Sequence, residues 1–179
     1  MYPSRRTTTL ERYFAGLTEQ TFEARLGVAD PPLIDYISGL LARFIHMDSV
    51  RQVRNLAGRP LDEVAEMLVE GRERLGDAKR EVHRHIGDFT LFWTGVYPEA
   101  VPKLTRGTKD RLLDYKTEGK RAYFIASTID STETEPPRDV LQRLSHDFEL
   151  CAFGLGEVRR HWESKAGRSG EAPPPLWID

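Results

Sequence analysis

Apolar residues recur along much of the chain at alternating steps of three and four, the period of a buried helix face. The clearest run begins just before a predicted helix from Asp77 to Val96 and continues through it; it comprises Leu75, Ala78, Val82, His85, Phe89, Phe92 and Val96. A second run lies in a predicted helix from Arg138 to Glu163 and comprises Leu141, Leu144, Phe148, Cys151, Leu155, Val158 and Trp162. We expect these two helices to pack near the centre of the molecule, with Val82, Phe89, Phe148 and Leu155 in the core.

Capping residues and prolines place the remaining helices. The segment Asp30-Pro31-Pro32 is typical of a helix start, because the acid caps the helix and proline needs no amide donor in the first turn. The sequence predicts helices over 19–26, 31–47, 60–75 and 109–129, the third of them opened by Pro60. The apolar stripe of the third is Leu61, Val64, Ala65, Leu68 and Leu75, and that of the fourth is Leu112, Tyr115, Gly119, Ala122, Ala126 and Ile129. The small residues of the fourth stripe predict a closely packed neighbour.

These elements predict an all-α fold, a bundle of five to six mostly antiparallel helices. We divide the 179 residues into a flexible N-terminal arm (1–8), a single helical-bundle domain (9–164) and a disordered, proline-rich tail (165–179). The tail ends in the apolar residues Leu176, Trp177 and Ile178.

Composition narrows the classes of partner. With 26 basic and 28 acidic residues the net charge is -2, which gives no global attraction to nucleic acid or to an anionic membrane. The single cysteine, Cys151, excludes an intramolecular disulfide and a cysteine-rich zinc site. The sequence shows neither an apolar leader nor an apolar run long enough for a membrane helix, so we expect a cytoplasmic location and no membrane partner.

The candidate chemistry centres on Glu81, His85 and Asp88 of the Asp77 helix, since Glu81 lies one turn before His85 and Asp88 just under one turn after it, so that all three can share a face. Imidazole and carboxylate together suit a divalent metal such as Zn, Fe or Mn, provided that a second helix supplies further ligands. The alternative is a core histidine held by Glu81 or Asp88. His83 projects about 200° away from His85 and therefore faces a second neighbour or solvent.

Known catalytic motifs are missing from the sequence: it contains no Gly-x-Ser-x-Gly, no Walker loop, no Gly-x-Gly-x-x-Gly and no Glu-x-x-His pair. The leading hypothesis is therefore a protein-interaction or scaffold domain without catalytic activity, bound to a protein partner or to a second copy of itself. The alternative is a metal-binding bundle, an oxidoreductase or a sensor, that uses Glu81, His85 and Asp88.

A second alternative is a nucleic-acid-binding regulatory module that uses Arg51, Arg54 and Arg59. The nine residues Pro60 to Leu68 resemble the first helix of a helix-turn-helix. The residues that follow, Val69 to Glu73, continue as charged helix where that motif has its turn, so the sequence does not favour nucleic acid as a partner.

Overall fold

The structure is a computed structural model that describes residues 9–44, 53–132 and 135–169. Within these ranges it contains eight α-helices and no β-strand, so the prediction of an all-α fold is confirmed. In chain order the helices are α1 (Thr9–Glu19), α2 (Pro31–Phe44), α3 (Val64–Glu73), α4 (Gly76–Val96), α5 (Val101–Leu104), α6 (Tyr115–Thr128), α7 (Arg138–His146) and α8 (Phe148–Ser169). A π-helical turn (Gln20–Arg25) follows α1, and short 3-10 turns (Pro98–Ala100 and Lys109–Leu112) lie on either side of α5.

Helix α4 is the centre of the bundle. It packs most extensively against α6 and also contacts α8, α3 and α2. Its buried residues lie on all sides and include Ile86, Leu91 and Trp93 in addition to the predicted seam. The predicted central packing of α4 and α8 is confirmed, and the four core residues expected from the sequence are all buried: Val82, Phe89, Phe148 and Leu155.

Small residues allow the close approach of α6 to its neighbours, as its apolar stripe predicts. A Cβ added at Gly119 would lie 2.5 Å from Cε2 of Phe148, a distance that no real side chain adopts. Similarly, a Cβ added at Gly87 of α4 would lie 2.6 Å from Cδ1 of Tyr123 on α6. Glycine at these two positions therefore sets the spacing of the central helices.

The start of α3 differs from the prediction. Pro60 lies in an isolated β-bridge with Arg54, and the helix begins only at Val64. The reason is a cap from elsewhere in the chain, since the carboxylate of Asp110 accepts hydrogen bonds from the amides of Val64 (2.8 Å) and Ala65 (2.7 Å). A carboxylate in this position satisfies the free amides of the first turn and interacts favourably with the helix dipole.

Three positions of the predicted apolar stripes are exposed: Ala78 lies in the first turn of α4, and Leu75 and Leu112 lie outside the α-helices. Leu75 precedes α4 in an extended conformation, and Leu112 lies in the 3-10 turn ahead of α6. Both side chains are largely exposed. Helix α6 begins at Tyr115 rather than 109, with Asp114 as its cap.

The chain ends of the bundle also differ from the prediction. The helix predicted from Arg138 to Glu163 is interrupted at Asp147, and its second part, α8, continues to Ser169, past the expected start of the tail at 165. At the other end, α1 lies before the helix predicted over 19–26 and shares only Glu19 with it, and the π-helical turn Gln20–Arg25 occupies most of that predicted helix. The predicted arm (1–8) and the rest of the tail (170–179) lie outside the described residues. No helix in the described part of the chain is both long and apolar enough to cross a membrane.

Candidate functional site

Asp88, one of the three predicted site residues, lies at the junction of three helices. Its side chain is buried, and each of its oxygens accepts two hydrogen bonds. Oδ1 accepts from the hydroxyls of Tyr36 on α2 (2.6 Å) and Tyr123 on α6 (2.8 Å). Oδ2 accepts from the guanidinium groups of Arg43 on α2 (3.1 Å) and Arg84 on α4 (2.8 Å). We call these five residues the Asp88 cluster.

The Asp88 cluster keeps its carboxylate ionised. Burial raises the pKa of Asp88, but the Arg84 and Arg43 guanidinium groups outweigh it and hold that pKa below its ordinary value. Burial and the Asp88 charge raise the pKa values of Tyr36 and Tyr123, so both phenols stay protonated as donors. The cluster therefore fastens α2, α4 and α6 together through one fully hydrogen-bonded charge.

The other two predicted site residues lie in different surroundings. Glu81 is exposed and pairs with Arg84. The Nε of Arg84 donates a hydrogen bond to Oε2 of Glu81 (2.9 Å). His85 is buried, and its ring stacks on that of Phe44 with 6.0 Å between centroids. In the described part of the chain, no three His, Cys, Asp or Glu side chains come together in a way that could hold a metal ion. The geometry thus lends no support to the metal site, which stays a prediction.

The predicted arginine loop is only partly described, since Arg51 lies outside the described residues. Arg54 donates to the carbonyl oxygen of Gly58 (2.8 Å), and Arg59 binds both carboxylate oxygens of Glu66 (3.1 Å each). Of these two described guanidinium groups, Arg59 is therefore paired with a carboxylate, whereas Arg54 contacts a neutral carbonyl. The hypothesis of a nucleic-acid partner also stays a prediction.

A cleft that sequence reasoning did not single out opens between α3, α4 and α6. Its volume is about 390 Å³, within the range of small-molecule sites. Its apolar wall consists of Leu68, Leu113 and Ile125. We call it the His83 cleft, after the buried histidine that also lines it.

Positive charge predominates around the His83 cleft. Arg72 on α3, Lys79 on α4 and Arg121 on α6 line it together with one acid, Glu118. None of these three cations forms an ion pair with any residue that the structure describes. A rim of three cations against one carboxylate carries an excess of two positive charges, which attracts an anion.

His83 contributes a buried polar atom with no partner. Only 4% of the residue is exposed, and its Nδ1 has no hydrogen-bond partner within the described structure. The other ring nitrogen, Nε2, faces α3, where a Cβ added at Gly71 would lie 3.0 Å from it. Burial, reinforced by Lys79 and Arg121, lowers the pKa of His83 to about 4, so the ring is neutral at pH 7.

Part of this site could be expected from the sequence. Of the two surroundings that the sequence left open for His83, a second neighbour or solvent, the structure shows the first, since the ring packs on Gly71 of α3. The convergence of Arg72 and Arg121 on it was missed, because these residues are 49 positions apart and no local pattern links them. Cys151, predicted to lie in the α8 seam, is buried, and burial raises the pKa of its thiol to about 12.

Comparison with known proteins finds no matching family model, no similar curated protein and no similar solved structure. Function is therefore inferred from the geometry of this chain alone.

Proposed function

We propose that the protein binds a small dianionic molecule, such as a dicarboxylate or a phosphate monoester, in the His83 cleft. The observation that carries the proposal is the set of three cations, Arg72, Lys79 and Arg121, which lack ion-pair partners among the described residues and surround a buried histidine. A ligand with two negative charges balances the excess charge of the rim. Apolar contacts with the cleft wall then add affinity.

Titration of the protein with succinate, followed by calorimetry at low ionic strength, tests this proposal. We expect saturable binding that Arg72→Gln and Arg121→Gln each weaken about five- to tenfold, because each variant removes one partly solvated charge from the rim. Both residues are exposed, so their replacement leaves the core intact. Added salt weakens binding through screening.

Arg12→Gln is the matched control. Arg12 is exposed on α1, which packs against α2 and α8 rather than against the walls of the cleft. It should bind succinate like the unmodified protein. Absence of saturable binding by succinate, malate, aspartate and the phosphate monoesters tested below would overturn the proposal, and so would equal losses in Arg12→Gln and Arg121→Gln.

A second candidate function is the protein interaction indicated by the sequence, and a specific observation on α8 favours it. Leu150 and Phe153 are exposed apolar side chains one helical turn apart, and Phe153 borders a groove of about 350 Å³. The groove rim carries charges of both signs, from Glu149, Lys116 and Arg160. We propose a second copy of this chain as the partner, because such a mixed rim can face its own copy across a twofold axis.

Sedimentation over a range of concentrations tests this second candidate. A self-association that Phe153→Asp abolishes, while the exposed control Leu56→Asp retains it, would support it. A monomer at every concentration would refute it.

A further inference from the structure

We propose that the ligand of the His83 cleft carries two anionic groups, or one phosphate, together with a hydroxyl or ammonium group, and that this group donates a hydrogen bond to Nδ1 of His83. This inference rests on the proposed function and adds the chemical class that the cleft selects. Three features carry it: the orientation of the imidazole, its charge state, and a second buried acceptor.

The orientation of the ring makes Nδ1 an acceptor. Nε2 lies beside the Gly71 backbone, which favours a proton on this nitrogen. A ring nitrogen beside a backbone carbonyl carries the N–H rather than the lone pair. A neutral imidazole has a single N–H, so the lone pair remains on Nδ1.

The surroundings of the ring keep it neutral. Burial disfavours the protonated, charged form of His83, and the positive charges of Lys79 and Arg121 disfavour it further. The titratable groups that line the cleft are Arg72, Lys79 and Arg121 together with Glu118. Because pH 7 is far above the pKa of His83, which is about 4, the ring is neutral and its Nδ1 can accept a hydrogen bond from a ligand.

Glu118 supplies a second acceptor at the same cleft. Its Oε2 is buried and has no hydrogen-bond partner in the described structure. A simple dianion would leave both Nδ1 of His83 and Oε2 of Glu118 unpaired, as they are in the described structure. A ligand with a donor next to its charged groups satisfies at least one of them, and an ammonium group also balances the charge of Glu118.

Calorimetry with matched ligands tests the inference. Succinate, malate and aspartate share a four-carbon diacid skeleton and differ in carrying no donor, a hydroxyl and an ammonium group. We expect malate or aspartate to bind at least about tenfold more tightly than succinate. In the same way, glycerol 3-phosphate should bind more tightly than propyl phosphate, and the tighter of the two series identifies carboxylate or phosphate as the anion.

Variants of the cleft locate the effect. In His83→Phe the ring is kept but offers neither a donor nor an acceptor, so the ratio of malate to succinate affinity should fall to near one. Arg12→Gln should keep the ratio of the unmodified protein. A general disturbance of the cleft would weaken the binding of malate and succinate alike and would leave the ratio of their affinities unchanged. Glu118→Gln should weaken aspartate more than malate.

Three results would overturn the inference. One is equal affinity for succinate, malate and aspartate, together with equal affinity for the two phosphate esters. The second is a preference for the donor-bearing ligand that survives in His83→Phe. The third is uptake of a proton at pH 7, measured in buffers of different ionisation enthalpy, since it would make His83 a charged donor. In each case saturable binding of succinate would leave the proposed function standing, whereas absence of binding by every ligand would remove it.

Discussion

Replacement of Asp88 by asparagine removes one negative charge from the interior and changes its volume little. In the Asp88 cluster, Arg43 and Arg84 would then face a neutral amide in place of a carboxylate. The asparagine amide would also direct N–H groups toward a site where four donors already converge. Both effects act on the junction of α2, α4 and α6.

The loss of unfolding free energy in Asp88→Asn depends on how deeply Arg43 and Arg84 are buried. Breaking a buried ion pair by removing one partner costs about 3–5 kcal/mol. Arg43 remains one-third exposed and Arg84 keeps its pair with Glu81, so we take the lower end, about 3 kcal/mol. For a domain of this size that corresponds to a fall of about 6–12 °C in the melting temperature.

Urea unfolding at pH 7, followed by far-ultraviolet circular dichroism, measures this free energy. Asp139→Asn is the control, because Asp139 also pairs with an arginine, Arg143 (2.9 Å), but its side chain is 69% exposed. Asp139→Asn should lower the free energy of unfolding by less than about 1 kcal/mol. The reasoning would be refuted if Asp88→Asn cost no more than this control.

Acid should act on the same junction. Because the folded pKa of Asp88 is depressed, its contribution is present at neutral pH and is lost as pH falls through that folded value. The difference in stability between the unmodified protein and Asp88→Asn should therefore shrink in acid.

Three further predictions concern packing, capping and protonation. Gly87→Ala places a methyl group 2.6 Å from the ring of Tyr123, which is fully buried, and should cost about 3 kcal/mol in urea unfolding; a loss within error of zero would contradict the helix spacing. Asp110→Ala removes the cap of α3 and should cost about 2 kcal/mol, with faster amide exchange at Val64; unchanged exchange would show that the cap is dispensable. His83 has a folded pKa of about 4, below its unfolded value of 6.5, so its contribution is full above pH 6.5 and is lost as pH falls toward 4. Lowering the pH from 7 to 5 should therefore reduce the free energy of unfolding by about 2 kcal/mol through His83, and an NMR titration that placed the pKa of His83 near 6.5 would contradict this.

Helical periodicity was sufficient to predict the fold class and the central helices. It works because α4 and α8 bury a seam whose spacing is set within each helix, and glycine or proline at Gly76 and Pro98 marks the ends of α4. It failed where a contact between distant segments decides the structure. Asp110 sets the start of α3 from 46 positions away, and no feature near Pro60 reveals that cap.

The same limit applies to the candidate site. Spacing correctly placed His85 in the buried seam, but it could not reveal that Tyr36 and Arg43 on α2 donate to the oxygens of Asp88. Two acids and a histidine on one helix are therefore compatible with either a metal site or a charge cluster. Only the partners on other helices distinguish these arrangements.

The most direct test of the proposed ligand site is NMR of the imidazole nitrogens in ¹⁵N-labelled protein during titration with malate. The account predicts a saturable shift of the Nδ1 resonance of His83 as its lone pair accepts a hydrogen bond, while the resonances of His146, exposed on α7, stay in place. Binding of malate, shown by calorimetry, without a change at His83 would contradict the site and its selectivity.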